Sequence, residues 1–219
     1  GADRTTGVAG LGAMHDEARL SLQDLALLMI TISDNAAADA VVGRVGLDAV
    51  QRTVDDLGLT RTVITSTCRD QYDTLIDDLS LAQALADPAA LDRFQVLDPT
   101  AAVTNRSTPR DITRLLSRIW RDGAAGADSC NEMRRVLRLQ ACRHRLASGF
   151  PAGDAIVAGK TGTLLNLSSE AGVVELPDHR RFAVAVFTRS KRSGLAGPRA
   201  DAAIGAVARL AVDQLLQAS

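Results

Sequence analysis

The chain has 219 residues, 46% of them apolar, and a formal charge of -1, so it can bury a sizeable core and presents no basic field for nucleic acid or anionic lipid. No apolar run reaches the roughly 18 residues needed to cross a bilayer, and the opening Gly1-Ala2-Asp3-Arg4 has no signal-peptide shape.

In chain order, Ser21 is a good N-cap followed by Asp24, and Leu22, Leu25, Leu28, Met29 and Ile32 recur at helical spacing, which predicts a buried helix ending near Ser33. Further helices are expected over Ala36 to Val45 and over Leu47 to Leu57, the latter stopped by Gly58. The pattern weakens from Thr60 to Asn105, with a short helix expected over Leu79 to Leu85. Thr108-Pro109 then opens a helix carrying Ile112, Leu115, Leu116 and Ile119 on one face, and another follows over Asn131 to Leu139. Strands are expected over Ala155 to Leu164, Glu170 to Leu176 and Arg181 to Thr188, the last two forming a hairpin about Pro177-Asp178-His179-Arg180. The third strand is apolar on both faces, and a helix over Arg199 to Gln217 can cover one of them.

Three features invite chemistry and are set aside. Cys68, Cys130 and Cys142 have no metal-ligand spacing and read as semi-buried thiols, with one disulfide left open. A cysteine hydrolase built on Cys68 lacks a recognisable histidine partner, and His15, His144 and His179 are scattered in surface-like contexts.

Two motifs remain. Ser33-Asp34-Asn35 ends the first helix, and Lys160-Thr161-Gly162-Thr163 lies within the first strand. Alone, the first is a helix-ending turn whose residues favour local hydrogen bonds, and the second is a solvated strand. Their joint occurrence, in this order and on these elements, is the specific signal. Lys160 is conspicuous because the only other lysine is Lys191.

An SDN motif followed by a KTG motif resembles the signature of class A β-lactamases and related penicillin-binding proteins. The likeness extends to Leu57-Gly58-Leu59, to Asn105 through Asp111, to Gly159 through Leu164 and to Ala171-Gly172-Val173-Val174, covering nearly the whole chain. It implies an α+β fold, an α/β sandwich with an antiparallel sheet of about three strands and a C-terminal helix, beside an all-helical lobe. The expected organisation is one domain, with a helical lobe over about 12–145 and a sheet lobe over about 150–219. The resemblance further implies that Ser33 relays a proton to the leaving nitrogen, that Lys160 polarises Ser33 and attracts the substrate carboxylate, and that Asn35 bonds the substrate's acylamino side. Thr161 and Thr163 would offer hydroxyls to the carboxylate, with Gly162 keeping the strand edge clear. Asp34 would brace the loop.

The resemblance is incomplete. The family nucleophile sits in a Ser-x-x-Lys motif, and here the residues three before Lys160 and Lys191 are Val157 and Thr188. The expectation is that this piece precedes Gly1, together with two strands that would flank the third strand. Class A enzymes deacylate with a Glu between the two motifs, yet Thr62 to Asp98 contains none, only aspartates such as Asp70, Asp73, Asp77 and Asp78. The expected function is therefore a serine hydrolase fold for β-lactams or D-alanyl peptides, inactive by itself, with a non-catalytic binding or scaffold module as the alternative. Expected partners are the small-molecule ligand and, through the open third strand, a second copy, a swapped strand or a complementing segment. No metal or cofactor is implied, nucleic acid is not expected, and the resemblance implies export.

Overall fold

The computed structural model describes residues 4, 5, 7, 9–78, 94–190 and 197–218. The expectation of a helix over Leu79 to Leu85 lies outside them. The chain divides into two compact units, Gly1–Ser107 and Thr108–Ser219. Among the described residues there are seven α-helices and one three-stranded sheet, an α+β architecture.

The first unit holds α1 (Leu22–Thr31), α2 (Asn35–Val45), α3 (Leu47–Asp56) and α4 (Cys68–Asp78). Helix α1 starts at Ser21, whose side chain accepts from Asp24 N at 3.1 Å. Its apolar Leu25, Leu28 and Met29 pack on Leu11, Ala36 and Ala37. No residue of α1 is fully buried, which corrects the expectation of a buried helix. Residues 25–31 are all half-buried, and Leu25 borders a cavity of about 700 Å³ whose wall includes Leu11, Leu20, Ala36 and Arg69. Helix α3 ends as expected at Gly58, which takes φ +65° while Leu59 N donates back to Val54 O at 3.1 Å.

Helix α4 was not expected, because the apolar period of Cys68–Asp78 is weak. Its start is nonetheless written locally: Asp70 N donates to Thr67 Oγ1 at 3.1 Å and Thr67 N donates to Asp70 Oδ2 at 2.8 Å, a reciprocal capping box. Asp39 on α2 accepts from Cys68 N and Arg69 N at 2.7 and 3.0 Å, so a second carboxylate meets the same helix start.

The second unit holds α5 (Pro109–Trp120), α6 (Ala127–Arg138), β1 (Ile156–Leu164), β2 (Leu167–Glu175), β3 (Arg181–Arg189) and α7 (Pro198–Gln217). Thr108 caps α5 through its hydroxyl at 3.2 Å from Asp111 N, with Pro109 in the first turn. The sheet order is β1-β2-β3, antiparallel throughout. Strand β2 starts three residues before the expected Glu170, because Leu164 pairs with Leu167 across a two-residue turn in which Leu165 takes φ +51°. One sheet face packs Val157, Val174 and Val184 against Ile204, Ala208 and Val212 of α7, while α5 lies on β3 and α6 on β1. Strand β3 is thus covered by helices and remains an edge of the described sheet, with Phe187 exposed.

Candidate active site

The Ser33-Asp34-Asn35 motif is a helix-to-helix junction. Ile32 N and Asp34 N both donate to Leu28 O, and Ser33 between them takes φ +59°, the left-handed position that helix ends usually give to glycine. A non-glycine residue pays a cost of about 1 kcal/mol there. The following residue, Asp34, is buried and caps α2, accepting from Ala37 N at 3.1 Å and from Leu11 N at 2.6 Å. Asp34 is therefore consumed by bracing. It leaves Ser33 exposed and Asn35 half-buried in the first turn of α2. The neighbouring 9–16 segment is tied by Arg4, whose guanidinium donates to the carbonyls of Leu11, Met14 and Asp16 at 3.2, 3.2 and 2.8 Å.

In the second unit, Lys160, Thr161, Gly162 and Thr163 run along β1, an edge strand whose other side pairs with β2. The Lys160 ammonium donates to Thr161 O at 2.6 Å. By strand alternation Thr161 and Thr163 share one face, opposite Glu170 and Ser168 in the β2 register. Of the two glycines in β1, Gly159 is the more firmly demanded, since a Cβ there would lie 2.9 Å from Ala171 O. At Gly162 the closest atom, at 2.8 Å, is the Ser169 hydroxyl, which can turn away.

Sequence reasoning passed over Arg145, in the turn before β1. It is buried, and its guanidinium donates to Gly162 O at 2.8 Å, to Ser169 O at 2.9 Å, to Thr163 Oγ1 at 2.7 Å and to Asp201 Oδ1 at 2.6 Å. One side chain thus joins β1, β2 and the first turn of α7. Because Thr163 Oγ1 accepts from Arg145, its own proton is left to donate outward. Thr163 is solvent-exposed, so an anion can reach that hydroxyl. Thr161, by contrast, is buried, so of the two threonines Thr163 presents the accessible hydroxyl, and with the Lys160 ammonium on the same strand it supplies groups suited to holding a carboxylate. His144 is exposed, 3.7 Å from Asp201. Glu170 was also missed: burial pushes its carboxyl above the ordinary range, against the opposing pull of the Leu146 N–H and of Arg145, Arg143 and Lys160. No local pattern marks either residue, since Arg145 sits in an Arg-rich run and Glu170 in a strand.

In the stretch where a deacylating base was sought, Asp70 is committed to the α4 cap, and the Thr67 N–H and hydroxyl hold its carboxyl below the ordinary range. Asp78 accepts from Gln95 N at 2.6 Å. The three cysteines are free thiols.

Residues 1–215 match the model of the beta-lactamase enzyme family. The chain belongs to that family. A curated relative, the beta-lactamase regulatory protein BlaB of Streptomyces cacaoi, is 32% identical over 96% of this chain and 73% of its own length. The β-lactamase of Sphaerobacter thermophilus DSM 20745 superposes with a TM-score of 0.76 at 27% identity, over 97% of this chain and 70% of that one. The protein PBP-A shares the fold, with a TM-score of 0.75 at 22% identity over 97% of this chain and 68% of that one. Membership in the serine β-lactamase and transpeptidase-like superfamily, expected from the two motifs, is thereby established.

Proposed function

We propose that the chain supplies the ligand-holding and proton-relay parts of a serine hydrolase that acts on β-lactams or D-alanyl peptides. Lys160, Thr161 and Thr163 hold the ligand carboxylate, with Gly162 keeping the edge clear. Ser33 passes a proton to the departing nitrogen, and Asn35 bonds the acylamino side. The observation that supports this most directly is the Arg145 node, which holds the exposed Thr163 hydroxyl on the same strand that carries the Lys160 ammonium.

Acyl transfer also needs an attacking hydroxyl with a base within reach. No Ser-x-x-Lys occurs in the 219 residues. The chain therefore binds such a ligand without forming an acyl bond to it. Where a nucleophile is supplied, the lack of a Glu between Thr62 and Asp98 favours slow deacylation, the behaviour of a penicillin binder more than of an efficient β-lactamase.

The likeness to a protein described as regulatory favours a second reading, a non-catalytic module that senses β-lactams or cell-wall peptides. Both readings predict that benzylpenicillin binds, that Lys160→Ala weakens it at least tenfold, and that Ser33→Ala leaves affinity nearly unchanged. They part when a Ser-x-x-Lys segment from a relative is supplied: nitrocefin turnover that Ser33→Ala abolishes supports the hydrolase, and binding without turnover supports the module. Wild-type and Lys160→Ala proteins that bind equally would refute both.

A further inference from the structure

Glu170 has no role in the scheme above, yet it lies beside the residues that carry it. It is 2% exposed and faces Thr161 across the β1–β2 pairing. Its Oε2 accepts from Leu146 N at 2.7 Å, in the turn that carries Arg145. Its Oε1 lies 3.1 Å from where a Cβ on Gly159 would stand, so β1 has a glycine where the carboxyl approaches. The charges of Arg145 and Arg143 in the turn, and then of Lys160 on β1, favour its ionised form against the larger effect of burial. Among the described residues, Asp201 on α7, already bonded to Arg145, and His144 beside it also belong to the cluster.

A buried carboxyl in that position competes with any ligand carboxylate for the same positive charge. We propose that Glu170 is a built-in counter-anion that sets how tightly the β1 edge holds a ligand carboxylate. This rests on the reading of Lys160, Thr161 and Thr163 as a carboxylate site. When Glu170 is ionised it cancels part of the field of Lys160 and Arg143; when it is protonated, that field is left to the ligand. Burial favours the protonated form, so the switch falls above the ordinary carboxyl range. Affinity for a carboxylate ligand then rises as pH falls through the Glu170 titration. By linkage, the bound ligand raises the Glu170 titration midpoint by the same factor.

The experiment follows the amides of Thr161, Gly162 and Thr163 by NMR while benzylpenicillin is added between pH 5 and 8. Wild type, Glu170→Gln, Glu170→Asp and Lys160→Ala are compared, each first checked for a folded spectrum. Glu170→Gln keeps an oxygen for Leu146 N and fixes the charge at zero. It should bind about three- to tenfold more tightly than wild type at pH 7.5 and lose the pH dependence. Glu170→Asp keeps the charge and should keep a wild-type-like slope, which a purely structural role for Glu170 does not require. If Lys160→Ala abolishes binding while Glu170→Gln matches wild type at every pH, the Glu170 inference is overturned and the carboxylate site stands. If Lys160→Ala binds like wild type, or no folded variant binds, the carboxylate site fails and the inference fails with it.

Discussion

Two glycines in helices separate packing from propensity. Alanine is favoured over glycine in a helix interior by about 1 kcal/mol, so Gly43→Ala in α2 and Gly205→Ala in α7 would both stabilise if propensity alone decided. A Cβ on Gly43 meets nothing within 4 Å. On Gly205 it would lie 2.3 Å from Ser148 Oγ, 2.7 Å from Arg145 O and 3.0 Å from Gly149 N. Two of these atoms are backbone, in a turn closed by Ser148 N donating to Arg145 O at 2.9 Å, and cannot rotate away. Overpacking of this kind costs roughly 1–3 kcal/mol and more where backbone must shift, which outweighs the propensity gain. Gly205→Ala should therefore destabilise the second unit by about 1–2 kcal/mol, read by urea unfolding through Trp120, the only tryptophan and a residue of that unit. Gly43→Ala should stabilise the first unit by up to about 1 kcal/mol, read by hydrogen exchange of α2 amides. An unfolding midpoint for Gly205→Ala that rises would refute the close approach of α7 to the Arg145 turn.

Ser33→Gly relieves the left-handed strain and should stabilise the first unit by about 0.5–1 kcal/mol, measured by hydrogen exchange; a destabilised variant would mean that the hydroxyl braces the junction. Asp34→Ala removes the α2 cap and the bond to Leu11 N, and should cost about 2 kcal/mol by the same measurement. Glu175 accepts from Trp120 Nε1 at 2.7 Å and from Arg138 at 2.8 Å, so Glu175→Ala should cost about 2–3 kcal/mol and shift Trp120 emission. For Glu170 the folded-state carboxyl titrates above the ordinary 4.5, so the folded state holds that proton more tightly and ionisation destabilises it. Glu170→Gln should then be more stable than wild type at pH 7–8, with the advantage shrinking as pH falls towards 4.5; a gap that widens on acidification would contradict the sign.

Much of this was legible locally. The caps at Ser21 and Thr108, the stop at Gly58 and the three strands are each fixed by residues within a few positions, and the two motifs stand where their elements require. Helix α4 escaped because its apolar period is weak, although Thr67 and Asp70 spell a capping box that a search for start signals would have found. Arg145 and Glu170 escaped for a different reason. Arg145 acts on Thr163 and Asp201, 18 and 56 positions away, and Glu170 gains its character from burial, so neither leaves a pattern in neighbouring residues. The exposure of α1 was misjudged because apolar periodicity reports a face that can be buried and says nothing of what covers it.

We propose that this chain holds a β-lactam through its β1 edge without forming an acyl bond to it. Intact-mass measurement after prolonged incubation with benzylpenicillin tests this directly: the account predicts an unchanged mass, and a penicilloyl adduct mapped to Ser33 or any other residue of the chain would contradict it.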